Sequence, residues 1–402
     1  MKKDDIINLV EEVASKEDIA TYLVGGCVRD EILGIENKDI DITIEGDAKK
    51  IAKSLSKRVG VKIKKTSQFG TFILFVSGFR IDIATARKET YPGPGKLPLV
   101  EPGSIVEDLS RRDFTINSMA IPVGITTIID PFQGLKDIKK GLIRTLHGKS
   151  FIEDPTRIFR ALRFAKRLDF QIEQITESLI DDAIKQRVLL TISPARIRNE
   201  LSLCLKEMKK WNILERIAQL GIFEQLGMVY PNRNFFEELD EFATKLGIKK
   251  EPLYFMALTD GCHNRKILTG RERRYLNAVE TLLEKIPLLK KSKGKGELYT
   301  ILQGFSPHPL AYIGVKEGVK DKISTYLEEI EPIKLEITGE DIKDLGISEG
   351  KLVGEILLKV KWEKLDGRLP TRKEELEYAK SIITNNQLKI FNHRGHRDKE
   401  TM

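Results

Sequence analysis

The spacing of apolar residues changes near residue 138 of the 402-residue chain. Before that point, short apolar runs alternate with helical repeats such as residues 3–15, where Ile6 and Val10 lie on one side. After it, strand signals nearly vanish. Helical repeats then cover residues 155–168, 174–186, 194–208, 210–219, 234–246, 252–259, 271–285, 297–303, 319–330, 350–364 and 371–384. The pattern therefore predicts an α+β fold: an N-terminal region with a small mixed sheet over residues 1–138, followed by helices.

Two acidic residues share one predicted strand of the first region. Residues 22–24 form an apolar strand, and a glycine turn and a short helix lead to a second strand that carries Asp39 and Asp41. Residues two apart in a strand point to the same side, so both carboxylates project together while Ile40 enters the core. Neighbouring carboxylates repel each other, and a proton or a divalent cation relieves the repulsion. The pair is therefore a candidate metal site; the alternative is a polar strand edge that faces solvent.

Further strands are predicted after a helix over residues 48–59. They cover residues 61–65, 71–76 and 79–84. Asp82 lies on the last of them, with its apolar neighbours turned to the opposite side. A small mixed sheet with Asp82 on the strand beside Asp39 and Asp41 would provide three catalytic carboxylates. The alternative is that Asp82 is an ordinary exposed strand residue.

The glycine turn predicts a phosphate site. Gly25 and Gly26 follow the first strand, and glycine permits close approach of the backbone to a ligand. Free amide groups at the start of a helix, with Arg29 beside them, favour an anion. A phosphate site about ten residues from a carboxylate pair indicates a nucleoside triphosphate bound as its magnesium complex.

Two segments beside this region have unusual composition. Lys88–Ser104 is dense in proline and glycine, which predicts a mobile loop without regular structure. The segment DLSRRDFTINSMA follows, with charged and amide side chains close together at Arg112, Asp113 and Asn117. A charge cluster is most often a solvated surface, but the apolar residues between these side chains anchor the segment to a core.

The helix predicted over residues 155–168 separates apolar residues from arginines. Arg157, Arg160, Arg163 and Arg167 share the polar arc, which is equally typical of an exposed helix face and of a wall of a nucleotide site. Asp154 precedes the helix as a cap or as an acceptor beside the Arg157 donors. A fixed Asp–Arg pair matches the amino donor and ring-nitrogen acceptor of cytosine and adenine. It would reject uracil and guanine, roughly 10⁴-fold when a site is built for the bond.

Composition adds limits to this interpretation. The formal net charge of +8 mildly favours a polyanionic partner. The three cysteines are scattered, without histidines at metal-ligand spacing, which predicts a reducing compartment and no zinc. The chain starts with an amphipathic repeat and has no apolar stretch of about 20 residues, so we expect a cytoplasmic protein without a membrane segment.

Ordered motifs then resemble a known family. GGCVRD with DID, RRDFTIN, DPFQGLKDI, EDPTR and SPARIRNEL are similar, in this order, to the motifs of the class II tRNA nucleotidyltransferase and bacterial poly(A) polymerase family. The resemblance runs from about residue 20 to 205. It implies a catalytic head over residues 1–138 and a helical neck that reads the base over 139–208. A helical body over 209–290 and a tRNA-binding tail over 291–402 would follow.

The resemblance also implies roles for individual residues. Asp39 and Asp41 would hold two magnesium ions, and Arg29 would hold the triphosphate. Ribose and phosphates would be bound by Arg112, Asp113 and Asn117, and the incoming base by Glu153, Asp154 and Arg157. Asp130 and Gly134 would form the hinge between head and neck. The implied reaction is attack by a tRNA 3′-hydroxyl on the α-phosphorus of CTP or ATP, with release of pyrophosphate.

The motifs leave the product open. Members of the family add CCA, only CC, only the final A, or a poly(A) tail. The whole loop at 88–104 disfavours CC-only addition, and its PGPGKLP sequence keeps addition of only the A open. We expect complete CCA addition from CTP and ATP; the alternatives are A addition, a poly(A) polymerase and an RNA-binding protein without catalysis.

Overall fold

The computed structural model describes residues 1–65, 70–262, 265–347 and 350–397. The chain divides into two compact units, Met1–Tyr230 and Pro231–Met402. The boundary between them falls inside the range predicted for the helical body. The division into head, neck, body and tail stays a prediction.

The first unit contains the strands. They are β1 (Thr21–Val24), β2 (Asp39–Ile44), β3 (Lys64–Lys65), β4 (Phe72–Val76), β5 (Phe79–Thr85), β6 (Arg87–Thr90), β7 (Leu99–Pro102), β8 (Ala120–Pro122), β9 (Leu142–Ile143) and β10 (Gln171–Ile172). Within the described residues, six of them form one sheet in the order β3-β4-β5-β2-β1-β8. Strand β2 pairs parallel to β5 and antiparallel to β1, so the sheet is mixed. The predicted fold class is confirmed.

Alternation of side chains positions the acidic residues on β2. Ile40, Ile42 and Ile44 are fully or almost fully buried, whereas Asp39 is exposed and Asp41 is half-buried. Each such isoleucine stabilises the fold by about 1.5–3 kcal/mol when it leaves water. The buried face therefore fixes the register of β2, and with it the direction of both carboxylates.

Helices cover much of the rest of the first unit. They are α1 (Lys3–Glu17), α2 (Gly26–Ile32), α3 (Ala48–Val59), α4 (Ile105–Ser110), α5 (Gly134–Lys140), α6 (Ser150–Glu153), α7 (Thr156–Leu168), α8 (Gln174–Lys185), α9 (Pro194–Leu205), α10 (Lys210–Gln219) and α11 (Ile222–Gln225). Short 3₁₀ turns lie at Thr115–Asn117 and Val188–Thr191. The predicted neck is not entirely helical, because β9 and β10 form a short parallel pair that its sequence pattern did not indicate.

The loop at 88–104 differs from the prediction. Its two ends pair as an antiparallel ribbon of β6 and β7, so the expectation that it lacks regular structure is wrong. The proline and glycine residues lie mainly between the two strands, where no ladder hydrogen bonds are needed. The Gly95 amide between them donates to the carbonyls of Ile152 and Glu153, so hydrogen bonds attach this tip to α6.

The second unit is helical throughout its described residues. Its helices are α12 (Arg233–Lys245), α13 (Glu251–Thr259), α14 (Gly270–Lys291), α15 (Lys295–Leu302), α16 (Pro307–Lys316), α17 (Lys320–Ser324), α18 (Gly339–Asp344), α19 (Lys351–Leu365) and α20 (Arg372–Arg397), with a π-helical segment at Thr325–Ile330. None of the helices in the described ranges combines the length and apolar composition needed to cross a membrane.

Candidate active site

One cavity of about 520 Å³ collects most of the predicted site residues. Those that line it come from both the sheet region and α7: Gly25, Gly26, Arg29, Asp39, Asp41, Arg112, Asp113, Asn117, Asp154, Arg157, Arg160 and Arg163. Asp82 and Glu153 do not belong to the lining that the structure describes. The cavity therefore places a carboxylate pair opposite a strongly cationic wall.

The carboxylates repel each other. Burial raises the pKa of Asp41; Arg112 opposes this shift, but repulsion from Asp82 and Asp39 adds to it, and the pKa reaches about 6. Asp82 lies directly beside Asp41 in the parallel register of β2 and β5. The predicted placement of Asp82 on the neighbouring strand is thus confirmed.

Asp82 is engaged by its own strand. Arg80 Nε and Nη2 donate to its two carboxylate oxygens at 2.9 and 2.7 Å. Burial raises the pKa of Asp82, an effect that Arg80 opposes. Its catalytic role stays a prediction, since its charge faces Asp41 but its oxygens are bound by a guanidinium.

The donor set at the cavity fits magnesium. In the part of the chain that the structure describes, no group of three carboxylate, imidazole or thiol side chains converges to hold a metal ion. Magnesium does not require such a cage, because it is usually held by one or two carboxylates together with water and substrate phosphates. The carboxylates of Asp39 and Asp41 could bind magnesium in this way, and a cation would relieve the unfavourable charge at Asp41.

Gly25 allows Arg112 to approach the carboxylates. Its φ is +72°, and a Cβ at this position would lie 2.6 Å from Arg112 Nη1 and 3.7 Å from an oxygen of Asp41. Arg112 is held from the other side, since its Nε and Nη2 donate to Asp108 at 3.3 and 2.8 Å. Only glycine leaves room for the Arg112 guanidinium beside the carboxylate pair.

A buried chain of hydrogen bonds connects α2 to α7. Arg29 Nη1 donates to Asn117 at 2.6 Å, and Asn117 Nδ2 donates to Asp113 at 2.9 Å. Arg160 Nε closes the chain on the other Asp113 oxygen at 2.8 Å. Arg29 is 3% exposed and also donates to Asp30, so most of its donors are already used within the protein.

Asp113 is the charged centre of this chain. Burial alone would raise the pKa of its carboxyl, but the Arg160 guanidinium and the Asn117 amide outweigh burial and lower the pKa to about 2. Asp113 is therefore an anion at neutral pH, and it fixes Arg160 on the wall of the cavity.

The predicted Asp154–Arg157 pair is not formed. Asp154 instead accepts from Arg196 Nη2 at 2.7 Å and caps α7 through Thr156. Arg157 donates to Ser150 Oγ at 2.7 Å and to the Arg111 carbonyl at 2.6 Å. Asp154, a hydrogen-bond acceptor, and Arg157, a donor, are thus held at the cavity by different partners.

The arginines of α7 do not form an exposed face. Arg157 and Arg163 are 4% and 7% exposed and Arg160 is half-buried, so that alternative is wrong for these three, whereas Arg167 in the last turn is exposed. The guanidinium groups of Arg29, Arg160 and Arg163 lie 5.1, 5.2 and 5.0 Å from the centre of the Phe164 ring. Buried acceptors and this ring explain why cations can occupy the inner side of a helix.

Comparison with known proteins identifies the family. Residues 21–144 match the family described as the poly A polymerase head domain. A solved CCA-adding enzyme, in its apo form II, has a TM-score of 0.79 and 32% sequence identity to this chain, and the match covers 96% of both chains. The chain belongs to the tRNA nucleotidyltransferase and poly(A) polymerase family. Membership predicted from the ordered motifs is thereby confirmed.

Two relatives of this nucleotidyltransferase family member carry the name A-adding tRNA nucleotidyltransferase. The one from Geobacter sulfurreducens is 36% identical over 92% of this chain and 46% of its own length. The one from Halalkalibacterium halodurans is 29% identical over 95% of this chain and 93% of its own length. The chain thus spans about half the length of the first relative and nearly all of the second.

The position of Glu153 differs from the predicted one. The Oε2 atom of Glu153 lies 3.6 Å from Nε2 of His147, beside the cavity rather than on its described lining. The prediction that Glu153 contacts the base therefore has no support from its position. Asp154, one residue later, reaches the cavity because the chain leaves α6 in an extended conformation there.

Several residues of this family member's cavity were not predicted. They include Glu89, Tyr91 and Arg196. Arg196 Nη1 also donates to the Gly95 carbonyl at 2.9 Å, so Arg196 connects the ribbon tip to Asp154. The SPARIRNEL motif carried the signal for Arg196, whereas Glu89 and Tyr91 lie in a segment whose composition predicted only a loop.

The predicted hinge residues form a tight turn in this family member. Asp130 accepts from the Gly134 amide at 2.7 Å and from the Leu135 amide at 3.0 Å, which caps α5. A Cβ at Gly134 would collide with the Thr115 carbonyl oxygen and with Met119. This geometry explains the need for an acid and a glycine there, and motion about the turn stays a prediction.

Proposed function

We propose that the protein transfers nucleotides from triphosphates to the 3′ end of tRNA and releases pyrophosphate. The observation that carries the proposal is the single cavity in which Asp39 and Asp41 face Asp154 and Arg157. The carboxylates proposed for the reaction and the side chains proposed to select the base then line the same cavity. The names of the relatives support tRNA as the acceptor, and we propose the cytoplasm as the location.

In the proposed mechanism, Asp39 and Asp41 would hold two magnesium ions. Bound there, magnesium would neutralise phosphate charge and increase the acidity of a hydroxyl. Arg112 lies beside the carboxylates and orients the phosphates, and Asp113 and Asn117 keep the surrounding arginines in place. The RNA 3′-oxygen forms a bond to the α-phosphorus, the bond to the β-phosphate oxygen breaks, and pyrophosphate leaves with that electron pair. Positioning supplies most of the catalysis in such a reaction.

Selection of the base is proposed for Asp154 and Arg157. The carboxylate accepts from the exocyclic amino group of adenine or cytosine, and the guanidinium donates to the ring nitrogen. Arg196 keeps Asp154 in place, which replaces the direct Asp154–Arg157 pair of the sequence-based hypothesis. This arrangement favours ATP and CTP over GTP and UTP.

Two products fit these groups. Complete CCA addition uses both triphosphates, as predicted from the motifs, and the solved neighbour is named for this activity. Addition of only the terminal A is the second candidate, favoured by the relatives named for it. Both products require the same carboxylates, so they differ in recognition of the RNA end and of the base.

Three transcripts of one tRNA distinguish the products. They end at the discriminator base, after C and after CC, and each is incubated with magnesium and CTP, ATP or both. Three nucleotides added to the shortest transcript indicate complete CCA addition, whereas a single A on only the CC-ended transcript indicates A addition. Long A tracts on every RNA would identify a poly(A) polymerase. Failure to extend any transcript would overturn the proposed reaction and leave an RNA-binding protein.

Gly25→Ala tests the placement of Arg112. The new methyl group forces Arg112 Nη1 away by most of an ångström, and misplacement on this scale costs about 10²-fold in rate. Single-nucleotide addition to the preferred transcript measures the loss. Gly34→Ala is the matched control, because Gly34 has a φ of +67° but an added Cβ meets nothing within 4 Å. Equal losses in the two variants would show that backbone conformation, not Arg112, is responsible.

A further inference from the structure

We infer that Glu200 is a positioning residue, whose buried carboxylate on α9 holds the arginines of α7 in place on the cavity wall. Nucleotide binding at that wall is part of the proposed function, and the inference rests on it. Glu200 itself does not belong to the described lining of the cavity, so its role is indirect.

The first argument is the face of α9 on which Glu200 lies. Helix α9 packs against α7, and residues four apart on a helix share a face. Arg196, one turn before Glu200, binds Asp154 at the start of α7. Glu207, in the turn that follows the end of α9, lies 3.3 Å from Arg163 Nη1. Glu200 therefore occupies the middle of a row of charged residues directed at α7.

The second argument is a pair of buried charged atoms without partners. Glu200 and Arg163 are each 7% exposed. Among the described residues, neither Glu200 Oε2 nor Arg163 Nε has a hydrogen-bond partner. A buried charged atom without a hydrogen bond costs free energy, and opposite charges nearby offset this cost. Burial raises the pKa of Glu200, whereas Arg160 and Arg163 act to lower it.

The third argument is the charge balance around Phe164. Three guanidinium groups surround this ring, and their anionic partners are Asp30, Asp113 and Glu207. Without Glu200, Arg160 and Arg163 would repel each other across a poorly solvated gap. Their guanidinium groups would then move apart and lose the positions in which they are proposed to bind the triphosphate.

Direct binding of nucleotide tests this role without the reaction. Isothermal titration of Mg·ATP and Mg·CTP into the RNA-free protein gives both affinity and stoichiometry. Glu200→Gln keeps the shape but removes the charge, and we expect the Kd to rise about tenfold at unchanged stoichiometry. Glu200→Asp keeps the charge and is expected to have an intermediate Kd.

A double-variant cycle and a control complete the test. Adding Arg163→Gln to Glu200→Gln should raise the Kd less than threefold further, since the two residues act as a unit. Glu177→Gln removes a carboxylate from an exposed pair with Arg216 in the same unit and should change the Kd less than twofold. Should Glu200→Gln not fold, Glu200→Asp and Arg163→Gln give the same comparison.

The outcomes separate the inference from the proposed function. A reduced stoichiometry at unchanged Kd would mean that Glu200 only supports folding, which overturns the inference. A Kd within twofold of the wild type at full stoichiometry would also overturn it. Wild-type protein that binds nucleotide but extends no transcript would overturn the proposed reaction alone. Absence of nucleotide binding by the wild type would overturn both.

Discussion

Asp41→Asn is expected to lower nucleotide addition about 10³-fold or more while it increases the thermal stability of the metal-free protein. The rate falls because an amide oxygen lacks the charge that holds magnesium against phosphate repulsion. Stability rises because the substitution removes one of several carboxylates that repel each other on β2 and β5. The raised pKa of Asp41, about 6, means that its anion is unfavourable in the folded state at neutral pH.

Two measurements check this expectation at pH 7. Single-nucleotide addition gives the rate, and thermal unfolding in a chelator gives the stability. A gain of about 1 kcal/mol raises the Tm of a unit of this size by roughly 2–4 °C. A variant that loses activity and also unfolds at lower temperature would contradict the assignment, because Asp41 would then be a structural residue.

Asp82→Asn is the matched comparison for Asp41. Asp82 lies beside Asp41 on the neighbouring strand, but its oxygens are bound by Arg80 and it is outside the described lining of the cavity. Retention of more than about a tenth of the activity would show that Asp39 and Asp41 suffice as the acidic groups. A loss as large as that of Asp41→Asn would establish Asp82 as the third catalytic carboxylate.

Asp113→Asn is expected to destabilise the first unit by about 2–3 kcal/mol at pH 7, because it removes the buried anion that pairs with the half-buried Arg160 guanidinium. The pKa of Asp113 is about 2 in the folded protein, against about 3.9 in an unfolded chain. Because the pKa of Asp113 is lower in the folded protein, the ionised carboxylate stabilises the fold at pH values above its unfolded-state pKa. This stabilisation is lost as the pH falls toward the folded-state pKa. The difference between wild type and variant should therefore shrink below about pH 4.

Urea unfolding at pH 7 and at lower pH measures this difference. Asp169→Asn is the control, because Asp169 forms an exposed pair with Lys209 and has a left-handed backbone that asparagine tolerates. It should change the free energy of unfolding by less than about 0.5 kcal/mol. An equal effect of both substitutions, or a pH-independent loss in Asp113→Asn, would contradict the role of the buried anion.

Local sequence patterns predicted the features that depend on local periodicity. Alternation around Ile40 predicted β2 and the shared direction of Asp39 and Asp41, and the helical repeat predicted α3 and α7 within one or two residues. The position of Asp82 on a strand beside β2 was predicted, but the parallel direction of that strand was not. Strand alternation and the helical repeat need only neighbouring residues to specify them.

Features that depend on distant partners were predicted less well. Asp154 binds Arg196, which lies on another helix, and a single sequence does not indicate such a partner. Arg157 is buried because Ser150 and a main-chain carbonyl satisfy it, although its helical position resembles that of a surface arginine. The ribbon at 88–104 forms because its arms pair with each other, which overrides the local preference of proline and glycine.

Asp39 and Asp41 lie on β2, whereas Asp154, between α6 and α7, and Arg196, on α9, lie more than a hundred residues later. Substitutions can therefore accumulate in one of these two parts of the gene independently of the other. Under the proposed roles, substitutions near Asp154 or Arg196 would alter which nucleotide is accepted and would leave Asp39 and Asp41 as they are. Two copies of such a gene could then differ in the nucleotide that each protein accepts, and a single protein could equally keep both specificities.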